Sequence, residues 1–261
     1  MACRKTILKY QCGVWLETGY LLLSMLGLAV SMSVGLLMIA FISNLRSYDS
    51  FHKNKDRIYR INSENYQSDG HTMTLASSSV RVGHKVRESF SGVEDSTIVR
   101  RGFEGDAEVN EKKIPLVALW ADHAFLNVFT FPLIKGDSAT ALREPFSLVL
   151  TEKTAEKLFG KTDVIGEIVK FDTLNYLVTG VMEDLPKLSR LQFEALVSFS
   201  TIELQRPDFD GDFFAWENYY SNYTYVLLSE NSDVQTLRMN LDQLSAVENT
   251  ALEDREIINA R

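Results

Sequence analysis

The chain has 261 residues, 45% of them hydrophobic and 24% charged, and a net charge of −8. An acidic chain with no dense basic stripe lacks the electrostatic footprint that a phosphate backbone requires, which excludes nucleic acid as a partner. Its two cysteines, Cys3 and Cys12, both lie near the N-terminus, so no disulfide framework can hold the remaining sequence together.

Arg4, Lys5 and Lys9 stand against Glu17 in the first segment, and no charged side chain follows until Arg46. Within that gap, Tyr20 to Leu45 is 26 residues of Leu, Met, Ile, Val, Ala and Gly with few interruptions. A helix rising ~1.5 Å per residue needs about 20 such residues to cross a bilayer, so this one is long enough to span with some tilt. The run exceeds the ~7–15 apolar residues of a signal peptide, and no small-x-small cleavage site follows it, so a retained anchor is expected. The first segment is net +2 and the chain after the helix net −10, which favours a cytoplasmic N-terminus and an exported acidic bulk. Gly27, Ser31 and Gly35 recur every four residues and place three small side chains on one face, where a second membrane helix could approach closely.

Beyond the anchor, residues 57–66 (RIYRINSENY) alternate at the two-residue period of a half-buried strand. Residues 79–90 read as a helix, with Val82, Val86 and Phe90 on one side. Two strands, 93–101 and 102–109, lead through the polar turn Asn110-Glu111-Lys112-Lys113 into a third, 114–120. Leu148 to Leu150 is an apolar strand ending at Thr151, an N-cap for the helix 152–159, which Gly160 should stop. Residues 165–171 and 176–182 read as a hairpin, and 223–228 as a last strand. Ser232 and Gln235 fit a capping box for a helix through about Leu244, and 253–261 is a charged tail. The predicted class is α+β: one N-terminal transmembrane helix followed by a mixed extracytoplasmic domain. The expected division is 1–19 cytoplasmic, 20–45 transmembrane, 46–230 exported core domain, and 231–261 a C-terminal helix and tail leading toward an absent second membrane segment.

Chemistry is hard to find along this sequence. Phe159-Gly160-Lys161-Thr162 ends like a phosphate loop, but Ala155 stands where the motif needs its first glycine. His52, His71, His84 and His123 match no zinc spacing, and no Gly-x-Ser-x-Gly elbow occurs. The expectation is a non-enzyme with no catalytic, cofactor-binding or metal-binding residues.

Other words in the sequence carry a resemblance. Leu26-Gly27-Leu28-Ala29, Ser47-Tyr48-Asp49-Ser50-Phe51-His52 and Arg57-Ile58-Tyr59-Arg60 are followed in order by Ala121-Asp122, Phe131-Pro132-Leu133 with Gly136-Asp137, Leu150-Thr151-Glu152 with Leu158-Phe159-Gly160, Val178-Thr179-Gly180-Val181 and Glu183-Asp184-Leu185-Pro186. In this order they resemble the first membrane helix and periplasmic core domain of MacB/FtsX-like ABC transporter permeases, over roughly Gly27 to Leu241. The resemblance implies a bacterial inner-membrane permease, a second permease as dimer partner and a separate cytosolic ABC ATPase that alone binds ATP. It also implies a short cytoplasmic helix at 4–17 and coupling of the stalk to the domain through Tyr48, Asp49, Phe51, Arg57, Tyr59 and Arg60. Phe51 and Tyr59 would be packing anchors, Asp49 a helix N-cap, and Arg57 and Arg60 polar contacts. Three departures stand out: such permeases continue into further membrane helices, Arg190 follows Ser189 where a histidine is common, and Ser31 replaces a common glycine. A fragment, an interrupted gene and a reduced relative are all compatible with this, and a single-pass tethered binding or sensing module is the alternative function.

Overall fold

The computed structural model describes residues 2–66, 70–205, 213–250 and 257–260. They form two compact units, 1–50 and 51–261.

The first unit is a single helix, α1 (Ala2–Arg46), 45 residues long and therefore about 68 Å from end to end. It runs without a break, so the separate short helix expected at 4–17 is the first part of the same rod. Leu22–Arg46 is the stretch long and apolar enough to cross a membrane. Its leucines and methionines point outward on every side: Leu22, Met25, Leu26, Leu36 and Leu37 are each more than 60% exposed. A helix that is apolar all round has no face for water, and lipid is the medium that satisfies it. The Ser31 and Ser33 hydroxyls donate back to the carbonyls of Gly27 and Ala29 at 2.8 and 2.7 Å, which removes their polar cost inside hydrocarbon. The helix ends in a turn in which Asp49 adopts a left-handed φ of 55°. No helix begins after it, so the expected N-cap role of Asp49 is not realised: it shapes the turn that stops α1.

In the second unit the strands are β1 (Ile58–Ile61), β2 (Ser63–Tyr66), β3 (Thr72–Leu75), β4 (Val93–Val109), β5 (Lys112–Ala121), β6 (Leu133–Lys135), β7 (Ser147–Thr151), β8 (Ile168–Phe171), β9 (Leu174–Met182), β10 (Ala195–Ser198), β11 (Asn222–Leu228) and β12 (Ile257–Ala260). The helices are α2 (Val80–Ser89), α3 (Phe125–Phe129), α4 (Glu152–Phe159), α5 (Ser200–Gln205) and α6 (Val234–Thr250). Nine strands make the main sheet in the order β1-β11-β4-β5-β10-β7-β9-β6, with β8 joining β4 and β9, while β12-β2-β3 form a smaller sheet. The α+β class read from sequence is the class of the fold. Two pairs, β5 with β10 and β7 with β9, are parallel, and β7 reaches β9 by way of α4 and β8. The β7-to-β9 connection is therefore a parallel crossover.

Local chemistry explains several elements. The 110–111 turn needs two left-handed residues, and Asn110 (φ 49°) and Glu111 (φ 67°) supply them, so β4 and β5 close as a tight hairpin. Gly102 (φ 96°) marks the irregularity between Arg100 and Phe103, so the two strands expected at 93–101 and 102–109 are one 17-residue strand with a bulge. Thr151 accepts a hydrogen bond from the Thr154 amide and Gly160 closes α4 in the left-handed region, both as expected. The strand expected across 57–66 divides at Asn62, because β1 pairs with β11 while β2 joins the small sheet. At α6 the capping side chain is Asp233, whose carboxylate accepts from the Gln235 amide at 3.1 Å, one residue after the expected Ser232. The tail is also more than charge: β12 returns to pair with β2.

The core lies on both faces of the main sheet. One cluster joins Phe103, Leu148, Leu150, Leu158, Phe171 and Tyr176 beneath α4. Burial pushes the Tyr176 hydroxyl up to about 12, since an isolated phenolate would be costly there. A second gathers Phe125, Phe129, Phe131, Met182, Phe193 and Leu196 around α3. A third packs Leu237 and Leu241 of α6 on Ile61, Val226 and Leu228.

Candidate functional site

The candidate site is the first segment of the second unit, residues 51–60. Phe51 and the buried His52 lie among aromatic rings: His52 is 4.9 Å from Phe131 and 5.4 Å from Phe129 between ring centroids, and Phe51 is 5.6 Å from Phe131. Phe51 is half-buried there, and His52 is the deeper of the two, 4% exposed. The His52–Phe131 contact is edge-on and the other two are tilted; aromatic pairs add about 0.5–1.5 kcal/mol each beyond area burial. The Lys53 amide then donates to the Thr130 hydroxyl at 3.1 Å, fastening the segment to the end of α3.

Arg57 is the polar counterpart. Its Nη1 donates to Glu94 Oε2 at 2.5 Å and to the Leu228 carbonyl at 2.7 Å, and its Nη2 donates to Asn54 Oδ1 at 3.1 Å. Only a planar fork of donors reaches three acceptors in three different segments. Arg60 is engaged more locally: Nε donates to Asn62 at 3.3 Å, and its charge faces Tyr225. Burial raises the Tyr225 hydroxyl above its usual range, and Arg60 pulls partly the other way. Tyr59 departs from its expected role as a packing anchor. It is 36% exposed, at the rim of a groove between β1 and α6 that Ile61, Leu237 and Leu241 also line.

The remaining expected residues fall elsewhere. Phe51, Arg57, Tyr59 and Arg60 belong to the domain, whereas Tyr48 and Asp49 close the helical unit. Gly27, Ser31 and Gly35 lie on the exposed surface of α1, and a Cβ added at either glycine would meet nothing within 4 Å. Their face is open to close approach, as a packing seam requires.

Sequence reading assigned no role to a second polar cluster. Asp122, at the end of β5, accepts from the Thr97 hydroxyl at 2.6 Å and the Ala124 amide at 3.2 Å, and pairs with Arg87 of α2. Arg87 also donates to the Ser96 carbonyl. Nearby, burial raises the carboxyl of Asp95 despite the opposing pull of its own Ser96 amide bond and of Arg87. The sequence held one signal of this, the Ala121-Asp122 pair within the resemblance. Among the described residues no group of three His, Cys, Asp or Glu is placed to hold a metal ion.

An apolar helix long enough for a bilayer, followed in the chain by a mixed-sheet domain, is the pattern of a membrane-anchored domain. The sequence matches the MacB-like periplasmic core domain over residues 21–244, and the chain belongs to that family. Its fold is also that of a domain from a protein named as a permease of Porphyromonas gingivalis, at TM-score 0.65 and 21% identity, covering 80% of this chain and 91% of that one. The periplasmic region of MacB from Actinobacillus actinomycetemcomitans matches at 0.53 and 15%, covering 82% and 91%. The extracellular domain of the noncanonic ABC-type transporter YknZ from Gram-positive bacteria matches at 0.53 and 18%, covering 78% and 100%. No curated protein matches the sequence significantly. The family is one of ABC-type transporter permeases, and the chain is a transporter component of that kind.

Proposed function

We propose that this chain is a permease component of an ABC-type transporter, with its N-terminus in the cytoplasm, α1 in the inner membrane and the sheet domain in the periplasm. The domain relays motion driven by a cytosolic ABC ATPase to substrates or partners outside. ATP binds to that separate subunit, and this chain needs no cofactor of its own. A second permease packs against Gly27, Ser31 and Gly35 in the membrane. The observation that supports the reading is the packing of the first residues of the second unit: Phe51 lies against His52 and Phe131 and on the aromatic cluster around α3.

Co-expression with candidate ABC ATPases of the same organism tests this. The two should purify together from detergent-solubilised membranes, and Gly27→Leu with Gly35→Leu should release the second permease while leaving the domain folded. Recovery of the chain alone and monomeric, with no nucleotide-dependent change in its domain, would instead make it a single-pass tethered binding module.

A further inference from the structure

Resting on the coupling reading above, we infer that Arg57 is a two-ended tie that joins the first segment of the second unit to Leu228 and, through the short connection after it, to α6, so that the start of α6 follows that segment. The Leu228 amide donates to the Arg57 carbonyl at 3.0 Å, and the Arg57 guanidinium returns a bond to the Leu228 carbonyl at 2.7 Å. One residue is therefore fastened to both backbone groups of another, 171 positions away. Its remaining bonds, to Asn54 and Glu94, hold the turn before β1 and the beginning of β4 at the same point.

What lies beyond Leu228 gives the tie its direction. Leu228 is the last residue of β11, and only residues 229–233 separate it from α6. That connection has little slack. The Ser229 amide donates to the Gly92 carbonyl at 3.0 Å, and Ser232 packs so closely on Gly92 that a Cβ there would lie 2.7 Å from its hydroxyl. At its far end α6 is held by Arg81 to Glu248 at 2.9 Å and by Ser245, which accepts from the Ala260 amide at 3.0 Å. The first turn of α6 is therefore tied to Leu228 through residues 229–233, and Leu228 to Arg57.

The neighbouring candidates lack this geometry. Arg60 engages Asn62 and the Tyr225 side chain rather than a backbone group, and Tyr59 reaches only the Asp56 carbonyl, at 3.5 Å. Lysine at position 57 would keep a charge for Glu94 but could not hold Leu228 and Asn54 from one planar group.

Paired spin labels on the full-length chain in nanodiscs test the tie without any ATPase, so its failure is distinct from failure of the transporter reading. In a background of Cys3→Ser and Cys12→Ser, labels at Lys53→Cys and Arg238→Cys report across the tie, and labels at Lys113→Cys and Lys187→Cys report on the rest of the domain. All four positions are exposed. Arg57→Ala should broaden the 53–238 distance distribution about twofold or more while the 113–187 distribution keeps its width, as expected when one local unit opens before the whole. Arg57→Lys should give an intermediate width. A 53–238 distribution unchanged in both variants, or broadening of both pairs together, would overturn the inference; the latter would make Arg57 a general stabiliser of the fold.

Discussion

Replacing Asp122 with alanine is expected to cost about 3 kcal/mol of folding free energy, among the largest effects of any polar substitution here. The carboxylate is 7% exposed and serves three partners from three elements: Thr97 of β4, the Ala124 amide ahead of α3, and Arg87 of α2. Removing one member of a buried pair leaves the other charge without compensation, a loss of about 3–5 kcal/mol when both are fully enclosed. The Arg87 side chain is 27% exposed and has Asp95 at 4.0 Å as a second acid, which moves the expectation to the lower end. Asp122→Asn keeps acceptors for Thr97 and Ala124 and should lose about half as much. If Arg87→Met is combined with Asp122→Leu, the double variant should be less unstable than the sum of its parts, since neither charge is then left buried alone. Urea unfolding of the detergent-solubilised chain, followed by near-ultraviolet circular dichroism, reads all of these. A loss under about 1 kcal/mol for Asp122→Ala would show that solvent already screens the cluster.

Phe125→Ala is expected to cost about 3–5 kcal/mol, the range for deleting a fully buried aromatic side chain. Phe125 is 0% exposed, stacked at 5.7 Å on Phe131 and touching Phe129 and Phe193 at 4.9 and 6.0 Å between ring centroids. The consequence extends beyond the cavity. At five residues α3 is too short to exist without tertiary contacts, and Phe125, Leu126, Val128 and Phe129 are its buried side. Thr130 at its end holds the Lys53 amide, and Phe129 and Phe131 cover His52. Loss of Phe125 should therefore loosen the incoming segment as well as the core. Increased hydrogen exchange at residues 51–57 together with lowered stability is the expected outcome. Phe125→Leu, which refills most of the volume, should restore most of both.

The parts of this molecule legible in the sequence are those whose signals are local. The apolar run of α1, the Thr151 cap and Gly160 stop of α4, and the Asn110-Glu111 turn each occupy a few adjacent residues that have one good conformation. Other features depend on partners distant in the chain. The alternation through residues 57–66 continues across Asn62, so nothing nearby reveals that β1 and β2 pair in different sheets. Gly102 suggests a boundary, yet pairing with β5 on both sides carries β4 through it. Elements of three to six residues, α3, β6, β10 and α5 among them, are shorter than any periodicity can mark. The same contrast runs through the site. Phe51 and Arg57 stand out in a recognisable run of residues, while their partners Phe131, Glu94 and Leu228 are found only once the chain has folded.

The whole account depends on α1 crossing the membrane and leaving the sheet domain outside. The cysteine distribution provides a direct test, because Cys3 and Cys12 precede the apolar run and no cysteine follows it. In intact cells a membrane-impermeant maleimide should fail to modify the native chain, and both cysteines should react only after permeabilisation. A variant carrying Lys187→Cys, with Cys3→Ser and Cys12→Ser, should be modified in intact cells, since residue 187 is exposed on the domain. Modification of Cys3 and Cys12 in intact cells, with position 187 protected until lysis, would invert the topology and contradict the assignment.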